Sequence, residues 1–200
     1  MKFASIFRAT ALALGLMAGG AHAAPVVINF DDVPFGTVVG SNYSGVTFSN
    51  AQVISIVLPG MSGTQGIWSV SDGYNPLPAN PISAVFGSAA SSVSLTGIDI
   101  GTDGFVMTAY DAAVGGNIVD TDLVFGSSVG VGQFFTLTLT GSNIFRVEFS
   151  QSFDSGAGDG ALFDTFVYDT AAAAVPEPGS LALLGLGLVG LAAARKRKQA

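Results

Sequence analysis

The sequence predicts an all-β domain, an antiparallel β-sandwich of jelly-roll type, flanked by an N-terminal signal helix and a C-terminal transmembrane helix. Three observations lead there. Between Val26 and Tyr168 the chain consists of short runs of Val, Ile, Thr, Phe and Tyr, broken by Gly, Ser, Asn and Asp, with no sustained helical period. Several runs alternate apolar and polar residues, as strands do when one face is buried and the other wet. Both ends of the chain, by contrast, are apolar stretches bordered by basic residues.

Taken in chain order, Lys2 and Arg8 precede the apolar and small-residue stretch Ala9–Ala18. Ala21-His22-Ala23 then puts small residues at the two positions that define a cleavage site before Ala24. That is the order of a secretory signal peptide, residues 1–23, and it implies the Sec translocase and signal peptidase as partners. Strands follow at Val26–Phe30, Val46–Ser49, Gln52–Val57, Ile67–Val70, Ala84–Phe86, Ser92–Thr96, Phe105–Asp111, Ile118–Phe125, Phe134–Thr140, Phe145–Ser150 and Ala161–Tyr168. Phe135, Leu137 and Leu139 are expected to face the core while Thr136, Thr138 and Thr140 face out. Phe145, Val147 and Phe149 enclose Arg146 and Glu148, which read as a solvated pair on an exposed face. Turn signals at Gly97, Asp103-Gly104, Gly115-Gly116-Asn117, Gly141-Ser142-Asn143 and Gly156–Gly160 space the strands as a two-sheet sandwich requires. Leu58–Pro81, interrupted by Pro59, Pro76 and Pro78, is too broken for a central strand and is expected to form a long loop on one rim.

The sandwich body, residues 24–174, sets one arginine, Arg146, against thirteen carboxylates, a formal charge of −12. Such a field repels phosphate backbones, which argues against nucleic-acid binding, and it favours cations. The chain has no cysteine, and its one histidine, His22, leaves with the signal peptide. Thiolate and imidazole metal sites and Ser-His-acid triads are thereby excluded from the mature body. The Gly126–Gly130 match to a nucleophile elbow falls for that reason, and the Gly185–Gly190 match to a dinucleotide fingerprint falls because it follows no strand. The sequon Asn42-Tyr43-Ser44 carries little weight in a prokaryote-like secreted chain.

Carboxylates, amides and hydroxyls remain, hard oxygen ligands suited to calcium. The candidates are Asp31 and Asp32 after the first strand, Asp111 at the end of the Phe105 strand, and Asp164 within the last strand. On a strict alternation Asp164 shares a face with Leu162, Phe166 and Tyr168, so its charge needs either a cation or hydrogen-bond donors. A structural calcium is the one cofactor expected. Trp68 and Tyr74, with Tyr43 and Tyr110, are candidate sugar-stacking residues, each weighed against ordinary packing. Glycoside hydrolysis needs only two carboxylates, but no spacing singles out a pair.

The tail, residues 175–200, has three parts. Val175-Pro176-Glu177-Pro178 holds the backbone extended, the uncharged run 179–194 spans about 24 Å as a helix, and Arg195-Lys196-Arg197-Lys198 stays cytoplasmic. This combination resembles the PEP-CTERM sorting signal. The resemblance implies recognition by an exosortase, a membrane-embedded cysteine transpeptidase of Gram-negative bacteria that make exopolysaccharide. It further implies transient inner-membrane anchoring, cleavage near Pro176-Glu177-Pro178, and release to the cell surface or matrix. The body resembles the jelly-roll domains of such proteins through Val27-Ile28-Asn29-Phe30-Asp31-Asp32 and Ala161-Leu162-Phe163-Asp164-Thr165-Phe166. The expectation is an exported, non-enzymatic surface or matrix protein that binds glycans of an exopolysaccharide. The alternatives are a secreted glycan-active enzyme and a tail-anchored structural envelope protein.

Overall fold

The computed structural model describes residues 24–127, 133–153 and 160–170, together with Gly185 and Gly187. The signal peptide, the Pro-Glu-Pro motif, the basic cluster and the turn expected at Gly156–Gly160 lie outside the described residues, apart from Gly160 itself. Gly185 and Gly187 are helical. Among the described residues no helix is long and apolar enough to cross a membrane.

Among the described residues the body is a set of nine strands, all paired antiparallel: β1 Val26–Ile28, β2 Val46–Ser49, β3 Ala51–Ser55, β4 Gln65–Ser69, β5 Ile82–Ile98, β6 Phe105–Tyr110, β7 Ile118–Val124, β8 Phe134–Gln151 and β9 Leu162–Thr170. Two of them are long because each joins two of the expected strands. β5 runs through Gly87 to Ala90 and β8 through Gly141 to Asn143, with the β5–β8 register shifting between Val85 and Ser92. A turn signal inside a long strand is read as a bulge here, since the chain keeps its partner and only bends. Gly97, expected to turn, lies within β5 instead, where a Cβ would come within 2.7 Å of the Phe105 ring.

The bends place β5 and β8 in two layers at once. The first half of β5 and the second half of β8 join β2, β6 and β7 in layer one; their other halves join β9, β4, β3 and β1 in layer two. The inner faces meet through aromatic rings. Phe48 of β2 packs edge-on to Phe166 of β9 with centroids 5.2 Å apart, Phe105 of β6 lies 5.2 Å from Phe163, and Phe149 of β8 lies 4.9 Å from Phe163. All of these side chains are buried, and burying each ring is worth roughly 1.5–3 kcal/mol, so this seam holds a domain that has no disulfide.

The expected inner faces of β8 hold at Leu137, Leu139, Val147 and Phe149, all buried, while Phe135 and Phe145 are half-buried. The expected rim loop 58–81 is corrected in part: β4 lies inside it and pairs with all of β3, carrying Trp68 within a sheet. This is the strand expected at Ile67–Val70, and it falls between Pro59 and Pro76.

Candidate functional site

Two places on the body gather polar groups, and they lie on opposite outer faces. The first is a groove on layer one. Antiparallel pairing sets Tyr110 opposite Arg146, Thr108 opposite Glu148 and Val106 opposite Ser150. These residues therefore share the outer face of β6 and β8, since directly paired side chains project to one side of a sheet. Pro78 and Pro81 rise beside them and Ser152 closes the end, enclosing about 320 Å³.

Arg146, the cation of the body, is held under this groove by two hydrogen bonds and an ion pair. Nη1 donates to the Ala113 carbonyl at 3.3 Å, Nη2 donates to Gly115 at 3.1 Å, and Nε lies 3.2 Å from Glu148 Oε1. Its guanidinium lies 4.1 Å from the centre of the Tyr110 ring. The two side chains of the ion pair are 13% and 29% exposed, so the solvated pair expected from alternation is corrected to a half-buried one. The β6–β7 turn makes this possible, because Gly115 and Gly116 take φ of 64° and 87° and aim their carbonyl segment back toward Arg146. Burial first, and the negative charge of Glu148 second, push the Tyr110 phenol above its ordinary value, so its hydroxyl keeps a proton to donate.

The second place is on layer two, where residues 56–64 cross the outer face as a strap. Ile56, Leu58 and Met61 of the strap pack, together with Trp68, on Ile54, Ile98 and Leu162. Asp164 and Asp31 hold it. The fully buried Asp164 carboxylate accepts from Ser62 N at 2.6 Å, Ser62 Oγ at 2.9 Å and Thr165 N at 2.6 Å. Asp31 Oδ1 accepts from Thr64 N at 2.9 Å and Gln65 N at 3.0 Å.

Strict alternation put Asp164 on the same face as Phe166 and Tyr168, and the structure corrects this. Thr165 takes φ of 51°, and the β5–β9 register shifts between Ser94 and Thr96, so β9 carries a bulge. Phe163 and Phe166 then both face the core, and Asp164 turns outward to meet the strap.

Of the four acids considered for calcium, the structure brings Asp164 to Ser62 and Asp31 to Thr64 and Gln65, two points at the end of one strap. Asp32 instead accepts the Tyr43 hydroxyl at 2.6 Å. Burial first, then this hydrogen bond and the Asp32 charge, raise the Tyr43 phenol strongly. Asp111 is on the β6–β7 hairpin, where Asn117 N and Nδ2 donate to it at 2.6 and 2.9 Å; those hydrogen bonds lower its carboxyl below the usual value of 3.8. Calcium takes six to eight oxygen ligands at about 2.3–2.6 Å. These four acids do not meet at one point, N–H and O–H donors occupy them, and among the described residues no group of three or more metal-binding side chains forms. The donor set does not fit the ion.

Trp68 and Tyr74 do meet, edge to face with centroids 4.6 Å apart, but the indole Nε1 donates to Gln52 Oε1 at 3.1 Å and the ring packs on the cluster beneath the strap. Trp68 is therefore spent on packing, and Tyr74 covers it. The groove was missed as a unit because its members are close only through the β6–β8 register. The alternation of Val106, Thr108 and Tyr110 with buried Phe105, Met107 and Ala109 was the available signal.

No curated protein matches the chain. Among solved structures it is similar to the K2 cleaved adhesin domain of Lys-gingipain, at 11% identity, covering 72% of this chain and 99% of that one with a TM-score of 0.49. It is also similar to the Clostridium stercorarium module CsCBM6-3, solved with cellobiose, at 18% identity over 76% and 98% of the two chains and a TM-score of 0.39. A third likeness is to the CBM22-1-CBM22-2 tandem domain from Paenibacillus barcinonensis, at 16% identity over 81% and 49% with a TM-score of 0.46. The tail, by contrast, matches a family model described as the PEP-CTERM protein-sorting motif over residues 174–198. That motif implies export, a membrane-anchored precursor and processing by an exosortase, and this chain carries it at residues 174–198.

Proposed function

We propose that the chain is an exported, non-enzymatic protein that an exosortase releases at Val175-Pro176-Glu177-Pro178, and whose sandwich binds glycans of an exopolysaccharide matrix through the β6–β8 groove. The sorting motif at residues 174–198 carries the first half of this reading. Mass spectrometry of the protein from an exosortase-bearing cell tests it: the mature chain ends near Pro176-Glu177-Pro178, and a mature chain that keeps Arg195 to Lys198 overturns it.

The groove supports the second half. Sugars are bound by groups that combine apolar contact with hydroxyl partners, and here Val106, Pro78 and Pro81 stand beside the hydroxyls of Thr108 and Tyr110 and the acceptor Glu148. Binding is favoured over hydrolysis because a glycosidase flanks the scissile bond with two carboxyl groups, about 5–9.5 Å apart. Among the described residues lining the groove, Glu148 is the lone carboxylate. Tyr110→Ala is expected to weaken binding to a responsive polysaccharide at least about tenfold in affinity electrophoresis, the loss of one stacked or desolvated aromatic contact. Unchanged retardation would move the site elsewhere.

A further inference from the structure

The charges around the groove also discriminate among glycans, an inference that rests on the glycan reading above. A uronate or sulfate is held by a free guanidinium or ammonium, which meets the anion with two or three charge-assisted hydrogen bonds. The body owns one such group, Arg146. Its two Nη atoms already donate to Ala113 and Gly115, its Nε faces Glu148 at 3.2 Å, and one face lies on Tyr110. Its side chain is 13% exposed.

The groove lining itself presents one charged side chain, and that is Glu148. An incoming carboxylate would meet a second carboxylate at short range, inside the field of a body whose formal charge is −12, while the one arginine is already paired with Glu148 and largely buried. A neutral pyranose meets the opposite situation. Its hydroxyls donate to Glu148 and exchange hydrogen bonds with Thr108 and Tyr110, and its C–H face lies against Val106 and the two prolines.

We infer that the groove is selective for uncharged glycans and rejects uronate-bearing or sulfated ones, with the Glu148–Arg146 pair as the specificity element. Glu148 does two things at once: it offers an acceptor to sugar hydroxyls, and it neutralises the arginine that an acidic polymer would otherwise recruit.

The test uses the full-length protein in mild detergent and titrates it calorimetrically with hexamers of glucose, xylose and mannose, set against hexamers of galacturonate and mannuronate. At least one neutral hexamer is expected to bind, and the acidic hexamers at least about tenfold more weakly. The gap is expected to narrow as salt rises from about 20 to about 300 mM, because screening weakens the repulsion. Glu148→Gln removes the repelling charge and uncouples Arg146, so the neutral-to-acidic affinity ratio falls. Acidic hexamers binding as well as or better than neutral ones overturns the selectivity and leaves the glycan reading standing. A gap that ignores salt overturns its electrostatic origin. If no hexamer binds, the glycan reading and this inference fall together.

Discussion

The two outer faces of this sandwich are both built in part from β5 and β8, yet they end up with opposite characters. The layer-two face is apolar and covered: Ile54, Ile98 and Leu162 are nearly fully buried beneath Leu58 and Met61 of the strap. The layer-one face is polar and open, a groove of hydroxyls around an ion pair. Carboxylates do the organising on both faces. On the strap they accept backbone amides and fasten a loop; in the groove one carboxylate fastens a cation. The difference shows that the acidity of the body is no uniform coat, because Asp31 and Asp164 hold chain while Glu148 faces the solvent side of a site.

The most damaging change is predicted at the strap. Asp164→Ala leaves the amides of Ser62 and Thr165 and the Ser62 hydroxyl without their acceptor at a fully buried position. Stranding buried donors and losing charged hydrogen bonds should cost about 2–4 kcal/mol. Asp164→Asn, which keeps one carbonyl acceptor, should cost less. Urea unfolding of both variants checks this, with Glu148→Ala as the other arm, expected to lose no more than about 1 kcal/mol from a half-exposed pair. Equal losses at Asp164 and Glu148 would break the distinction between a fastened face and an open one.

A smaller loss is predicted one residue along. A Cβ at Gly63 would overlap the Asp31 carboxylate, so Gly63→Ala must push the strap or Asp31 aside. Overpacking of this kind costs about 1–3 kcal/mol. If the strap is fastened as described, Gly63→Ala also makes residues 58–64 the first site of proteolytic nicking, read by mass spectrometry of the fragments. Nicking confined to other loops would mean that Asp31 contributes nothing to holding it.

Much of this architecture could be read from residue order because it is local. Alternation in both halves of β8 placed Leu137, Leu139, Val147 and Phe149 correctly. What failed has one physical source, the bulge. Gly87 to Ala90, Gly141 to Asn143 and Thr165 each interrupt a period of two. At the first the reading left a gap between strands, at the second it placed a turn, and at Thr165 the break went unseen and sent Asp164 to the wrong face. The site was obscured for a different reason. Tyr110 and Arg146 are 36 positions apart and meet through the β6–β8 register, which no local pattern encodes. Trp68 stood out by residue type, while its surroundings are set by the β3–β4 pairing with Gln52 and by packing on Ile54, Ile98 and Leu162.

The smallest predicted effect is the one that separates two ways of fastening the strap. An acid such as Asp164, buried in the last strand of an acidic sandwich, is met either by a cation or by hydrogen-bond donors. Here three donors reach it and two reach Asp31, and every donor is an amide or hydroxyl. A calcium at about 2.3–2.6 Å from the same oxygens would have to displace those protons and then find four or more further oxygens. Chelator should therefore shift the melting temperature by less than about 1 °C, because removing an ion stabilises or destabilises only to the extent that the folded state binds it. A saturable rise in melting temperature with added calcium, absent from Asp164→Asn, would show instead that the strap is a metal clip. The hydrogen bonds to Asp164 would then describe only its metal-free form, and the contrast between the two faces would become one of a divalent cation on the first and a guanidinium on the second.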